Sequence, residues 1–190
     1  APGSPLRNGG VDRIGASIAG GSQDGAVTFF VGGERTDATG VTAANEQNRT
    51  NLRANLSGLV NEKLRVSAQS SFITGYTQLP QEGNTGSGPW LNAFVSADPS
   101  PANIARGNGF RAPYSASTVG WWKNEEELRR FVGSVSADWR PTTWLHLNAV
   151  TGVDQTNRFE QGTIPVPGLA TGFFAEGLRE QFRTQNREFT

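Results

Sequence analysis

The sequence predicts an all-β chain folded as an antiparallel up-and-down meander. Three observations predict it. Apolar and polar residues alternate with a period of two over several long stretches, and only a strand gives that period. The 190 residues include 24 glycines and 10 prolines, which supply turns. The stretches are joined by connections that are alternately short and long.

The first strand is predicted near 12–20, where Ile14, Ala16 and Ile18 share a face, and an Asp24-Gly25 turn signal follows. The second spans about 26–37, with Val27, Phe29 and Val31 opposite Thr28 and Glu34, although Phe30 breaks the alternation. A loop near 38–47 leads to the clearest hairpin, "NRTNLRANLSGLVNEKLRVSAQSSF". Its strands are placed at 48–60 and 64–77, with the turn at Asn61, Glu62 and Lys63. Leu52, Ala54 and Leu56 fall on one face there, while Arg49, Asn51, Arg53 and Asn55 fall on the other.

A long irregular segment is expected over 78–127, with one short helix around Leu91 to Ala97, where Leu91, Phe94 and Val95 have helical spacing. Strands at 129–140 and 144–156 then flank a turn at 140–143. In them Phe131, Gly133, Val135, Ala137 and Trp139 oppose Arg130, Ser134, Ser136, Asp138 and Arg140, and Leu145, Leu147, Ala149 and Val153 oppose His146, Asn148 and Asp154. A second long loop is expected over 159–180, where "GTIPVPGLATGFF" carries two prolines, and a seventh strand over 181–190.

Composition narrows the functional classes. Seventeen basic residues balance seventeen acidic ones without a long block of either sign, so the field that nucleic acid attracts is missing. With no cysteine and one histidine, thiolate metal sites and disulfides are excluded, and no cofactor is implied. Mean hydropathy of −0.46 and the absence of any run near 20 apolar residues exclude helical membrane spans. They leave a β-barrel open, since a barrel strand crosses lipid with one apolar residue in two.

Two features favour such a barrel wall over a soluble β-sandwich. Short turns follow the odd-numbered strands and long loops the even-numbered ones, which puts all short turns on one rim, as in outer-membrane barrels. Twelve residues from Arg49 to Val60 exceed the roughly 9–11 that cross a bilayer and the roughly 5–6 usual in sandwiches. Leu52, Ala54, Leu56, Val66, Ala68, Val135, Ala137, Leu145 and Leu147 are then expected to face outward to lipid. Arg49, Arg53, Arg65 and Asp138 are expected to face a watery lumen. Trp139 and Trp144 at the turn, with Phe72 and Tyr76 toward the other strand ends, are placed as interfacial girdles.

Three segments resemble the SusC/RagA-like TonB-linked outer-membrane proteins. They are "IGASIAGGSQDGAVTFFVGGERTDATGV", the hairpin quoted above, and "FVGSVSADWRPTTWLHLNAVTGVD"; "WLNAFVSADPSPAN" is similar to the loop between them. The resemblance implies a receptor that imports glycan or peptide nutrients across the outer membrane. It also implies as partners the remaining barrel and plug, a SusD-like lipoprotein, TonB and outer-membrane lipid. The family's amino-terminal carboxypeptidase-like domain, TonB box and plug are not recognisable here. The chain is therefore read as an internal wall segment, not as an enzyme and not as a nucleic-acid binder.

Other constellations have plainer readings. Glu125, Glu126 and Glu127 are read as a solvated strand start rather than paired acid–base carboxylates, because raised carboxylate pKa values need burial. His146 lacks a nucleophile elbow and is read as a lumen-facing polar residue. "GNTGSG" lacks the lysine of a phosphate loop. A hydrolase would need a convergent nucleophile or acid–base set, and none is visible. In the longest loop Trp90, Arg111, Tyr114, Trp121 and Trp122 combine rings with guanidinium forks, the chemistry that grips sugars or peptides. The rival reading from another class is a soluble carbohydrate-binding β-sandwich that uses those rings as its platform.

Overall fold

The computed structural model describes residues 6–42, 45–80, 100–102, 123–164 and 176–190. Seven strands form one sheet: β1 (Gly10–Gly21), β2 (Val27–Thr39), β3 (Glu46–Asn61), β4 (Leu64–Pro80), β5 (Lys123–Thr142), β6 (Leu145–Ile164) and β7 (Leu178–Phe189). Their order in the sheet is their order in the chain, and every neighbouring pair is antiparallel. The sheet is an open meander. Among the described residues β1 and β7 each have one side without a strand partner.

The predicted strands are all present, but several ends differ. β4 runs to Pro80 rather than 77, and β5 begins at Lys123 rather than 129, so the loop placed at 78–127 shortens at both ends. β6 continues to Ile164 and β7 begins at Leu178, which trims the loop placed at 159–180. The added residues are mostly polar, with isolated apolar ones such as Leu79, Leu128 and Phe159, so they lack the alternation from which strands were read. Cross-strand bonds hold them instead. The Tyr76 hydroxyl donates to Glu125 at 2.8 Å, and Arg158 Nε donates to Glu126 at 2.9 Å. Glu125, Glu126 and Glu127 are the third to fifth residues of β5, at its start as read, although that start is earlier than 129.

Turn positions shift in the same way. Asn61 ends β3, leaving residues 62–63 as the turn, and β5 carries Arg140 and Pro141 so that the last turn is at residues 143–144. Trp144 is accordingly in the turn, not at the start of β6. In the first turn Gly25 has φ +70°, a left-handed value that a Cβ would disfavour. The Ser22 hydroxyl accepts from the Val27 amide at 2.9 Å, and Asp24 Oδ1 from the Ala26 amide at 3.0 Å. Hydrogen bonds from the Ser22 side chain and the Ala26 amide hold the Asp24 carboxyl below its usual pKa.

Register sorts the side chains into two faces. One row of partners runs Gly33–Leu52–Phe72–Phe131, and the next Val31–Ala54–Ser70–Gly133–Val153–Phe189. Leu56, Ala68, Val135, Val66, Ala137, Ala149, Trp139 and Leu147 belong to the same face. Arg49, Arg53, Arg65 and Asp138 lie on the other. The separation of the two sets onto opposite faces follows the predicted alternation. Ile164 is the one buried hydrophobic residue among those described, so the described strands supply almost no core of their own.

The hairpins do not end level. The row through Gly21 and Thr28 continues through Ser57, Ser67 and Ser136. Beyond it β3 runs on from Ser57 to Asn61, and β5 from Ser136 to Thr142. The turn rim therefore moves by about six residues over four strands. That is roughly 20 Å along the strands against roughly 19 Å of sheet width, an inclination of about 45° between strands and rim.

Candidate functional site

The five loop residues Trp90, Arg111, Tyr114, Trp121 and Trp122, and the helix expected at Leu91 to Ala97, lie outside the described residues. What the structure does position is a two-faced wall, and each face has its own chemistry.

On the first face the apolar residues form a continuous band. Ile14 and Ile18 of β1, Phe29 and Val31 of β2, Leu52 and Leu56 of β3, Phe72 of β4, Phe131, Val135 and Trp139 of β5, and Leu147 of β6 are all exposed. Leu56 is 54% accessible although its cross-strand partners Phe29 and Ala68 are both apolar. A strand at the centre of the sheet thus presents a bare leucine. At mid-band Phe29, Val31, Leu56, Ala68, Val135 and Val153 line a shallow groove of about 620 Å³. Aromatic rings cover glycine gaps here: the Phe131 ring lies 2.9 Å from where a Gly133 Cβ would stand, and Phe29 lies equally close to the Gly20 position. Those rings supply apolar surface where the glycines provide none.

The band is not centred on the strands. It occupies their turn-side half, from the Trp139 and Trp144 end up to the neighbouring pair Phe72 and Phe131. Phe72 and Tyr76 were placed at strand ends; with β4 reaching Pro80, Phe72 instead marks the upper margin of the band. Tyr76 lies beyond it among polar groups, its hydroxyl donating to Glu125 and lying 3.1 Å from Gln78 Oε1. Above Phe72 and Phe131 the same face turns polar from β2 to β5, through Arg35, Thr50, Thr74 and Arg129 in one row and then Asp37, Asn48, Tyr76 and Glu127 in the next, whereas on β1 Ile14, the partner of Arg35, carries the band one row higher.

The opposite face is bonded laterally along much of its length. Arg13 pairs with Glu34 at 3.7 Å, Arg130 with Asp154, and Arg158 with Glu160 at 2.8 Å. Arg65 Nη1 donates to Ser57 Oγ at 3.1 Å, and Ser67 Oγ donates to the same oxygen at 2.8 Å. His146 Nε2 is 2.6 Å from Asp138 Oδ2, which places this histidine on the polar face as its alternation implied. A serine or threonine does not share a hydrogen bond with His146 among the described residues, so the pair lacks the nucleophile that acyl transfer requires. Nor do three metal-ligating side chains gather among the described residues. Phe30, which broke the alternation, projects from this polar face and covers Gly32, its ring 2.9 Å from the Gly32 Cβ position.

Such a wall can separate two media. One face offers hydrocarbon contact over a limited height, and the other offers charged and amide groups already paired with one another, so they hold water without demanding a protein partner. Sequence reasoning found both faces but missed the polar extension above the band, where neither face is apolar. The hidden signal was polar pairing across strands, an ion pair of Arg158 with Glu126 and an amide hydrogen bond from Gln161 to Glu125 at 3.2 Å, which no single-strand pattern displays. No protein-family model and no curated protein matches the chain.

Proposed function

We propose that this chain is an internal wall segment of an outer-membrane β-barrel, within a TonB-linked receptor of the SusC/RagA-like kind that imports glycan or peptide nutrients. The observation that carries the reading is the bare apolar band on one face of the central strands, backed by a paired polar face. In water that band would be a large uncovered patch; against lipid it is covered. The inclination of about 45° agrees with the roughly 35–45° at which barrel strands tilt. From Leu64 to Phe72 the band measures roughly 26 Å along β4, or about 19 Å once inclined. Trp144 extends it at the turn, toward the about 25 Å of barrel bands in a membrane thinner than average.

In this reading the turns lie at the periplasmic rim and the polar upper halves of β4, β5 and β6 project above the membrane. Further strands close the two open edges. The plug, TonB and a SusD-like lipoprotein are partners through the resemblance alone, and the segment itself does no catalysis. Trp90, Arg111, Tyr114, Trp121 and Trp122 are proposed as ligand contacts on the outer side.

Fractionation of cells that express the natural protein containing this segment tests the reading. It is expected in the outer membrane, released only by detergent, with unboiled samples migrating differently from boiled ones on gels. Recovery in the aqueous fraction without detergent would contradict it and favour the soluble carbohydrate-binding sandwich.

A further inference from the structure

Arginines of this wall differ in what they meet, and on the polar face Arg49 bonds Asn51 and Arg65 bonds Ser57. On the polar face Arg13, Arg130 and Arg158 each meet a carboxylate. On the apolar-banded face two do not among the described residues: Arg187, in the Phe72 and Phe131 row at the upper margin of the band, donates to the neutral amide of Gln155 at 2.8 Å, and the guanidinium of Arg183, two rows above, lies over the Phe159 ring at 5.8 Å. Arg129 reaches Glu127 only at 3.9 Å. Counting these rows from β1 across to β7, four arginines (Arg35, Arg129, Arg183 and Arg187) stand against three carboxylates (Asp12, Asp37 and Glu127), and Arg35 is already held by Asp37 at 2.7 Å. The excess is positive and lies on the β5 to β7 side.

Between these arginines is a cleft of about 500 Å³, lined by Glu127, Arg129, Asn157, Phe159, Arg183 and Gln185. Arg129 is two residues beyond Phe131, the upper limit of the band, and Arg183 is two cross-strand rows beyond that limit. Along the strands these offsets are roughly 7 and 13 Å, or about 5 and 9 Å once inclined. They span the polar layer that begins where the hydrocarbon ends. Guanidinium forks match phosphate oxygens, amides bond hydroxyls, and an aromatic face takes the apolar side of a sugar ring.

We propose that this cleft binds the phosphorylated sugar headgroup of an outer-leaflet lipid, with Arg129 and Arg183 on phosphate, Asn157 and Gln185 on hydroxyls, and Arg187 adding charge at the edge. The proposal rests on the membrane reading above, because only that reading puts the cleft at headgroup height. Its occupant is a lipid rather than free phosphate: the cleft adjoins the band, so acyl chains can lie over Phe131 and Val135 while the headgroup occupies the polar side.

The test uses the natural protein in zwitterionic detergent, with native mass spectrometry counting bound bisphosphorylated lipid A. The unaltered protein is expected to retain it, and Arg129→Gln with Arg183→Gln to lose about tenfold or more in retention. Arg53→Gln on the polar face should keep it. Dephosphorylated lipid A should not be retained, and millimolar inorganic phosphate should not displace the lipid. Equal retention by the double variant, equal retention of dephosphorylated lipid, or displacement by phosphate would each overturn the proposal. All variants are checked for outer-membrane insertion first. Normal insertion without lipid retention defeats this inference alone, whereas aqueous recovery defeats the membrane reading and this inference with it.

Discussion

Residues 1–190 expressed alone and placed in detergent-free buffer are expected to aggregate rather than to give a folded monomer. Among the described residues almost no hydrophobic side chain is buried, and Ile164 is the single one. The outer edges of β1 and β7 present unpaired N–H and C=O groups, a template for pairing with another copy. The apolar band adds a sticky face to those sticky edges. Detergent, or co-expression with the strands that close the barrel, should restore order. A monodisperse species that melts cooperatively in plain buffer would contradict the expectation, because such melting needs a covered core.

The second large effect concerns charge on the band. Leu56→Arg puts a guanidinium in the middle of the apolar face, between Phe29 and Ala68. On a lipid-facing midplane this costs about 2–4 kcal/mol, a thirtyfold to nearly thousandfold loss in the ratio of folded to unfolded protein. Gln69→Arg changes a residue that faces the opposite way on the adjoining strand, and should cost under about 0.5 kcal/mol. Urea titration of the natural protein in lipid vesicles measures both. Equal costs for the two substitutions would mean that the faces are not in different media.

How far the sequence discloses this wall depends on the part considered. Through the band, Leu52, Ala54 and Leu56 against Arg49, Arg53 and Asn55 set strand, register and face together, because a slip by one residue would put arginine on the apolar side. The Asp24-Gly25 pair located its turn, and the structure gives the reason in the φ of Gly25. Above the band the same reasoning fails for a physical cause. Residues 123–128 have polar groups on both sides, so their extended state comes from ladder bonds and from pairs such as Arg158 with Glu126, which join residues far apart in sequence. A glutamate run reads as solvated surface until the arginine of the next strand is placed beside it.

Two prolines lie within strand ends. Pro80 ends β4 and Pro141 lies in the last residues of β5, where the register shifts between Trp139 and Thr142. The chain tolerates a missing donor at such sites. Lys63 helps there, its ammonium donating to the Pro141 carbonyl at 3.0 Å.

The most direct measurement of the central claim uses the absence of cysteine. Single cysteines introduced at each position from Leu52 to Ser57 in the natural protein, labelled with a small fluorophore and reconstituted in vesicles, report the medium at each side chain. Nitroxides attached to lipid chains should quench the labels at 52, 54 and 56 strongly and those at 53, 55 and 57 weakly, while a water-soluble quencher should give the reverse pattern. Labels at 52, 54 and 56 that lipid nitroxides leave unquenched would show that the band meets protein rather than lipid, and the wall reading would fail.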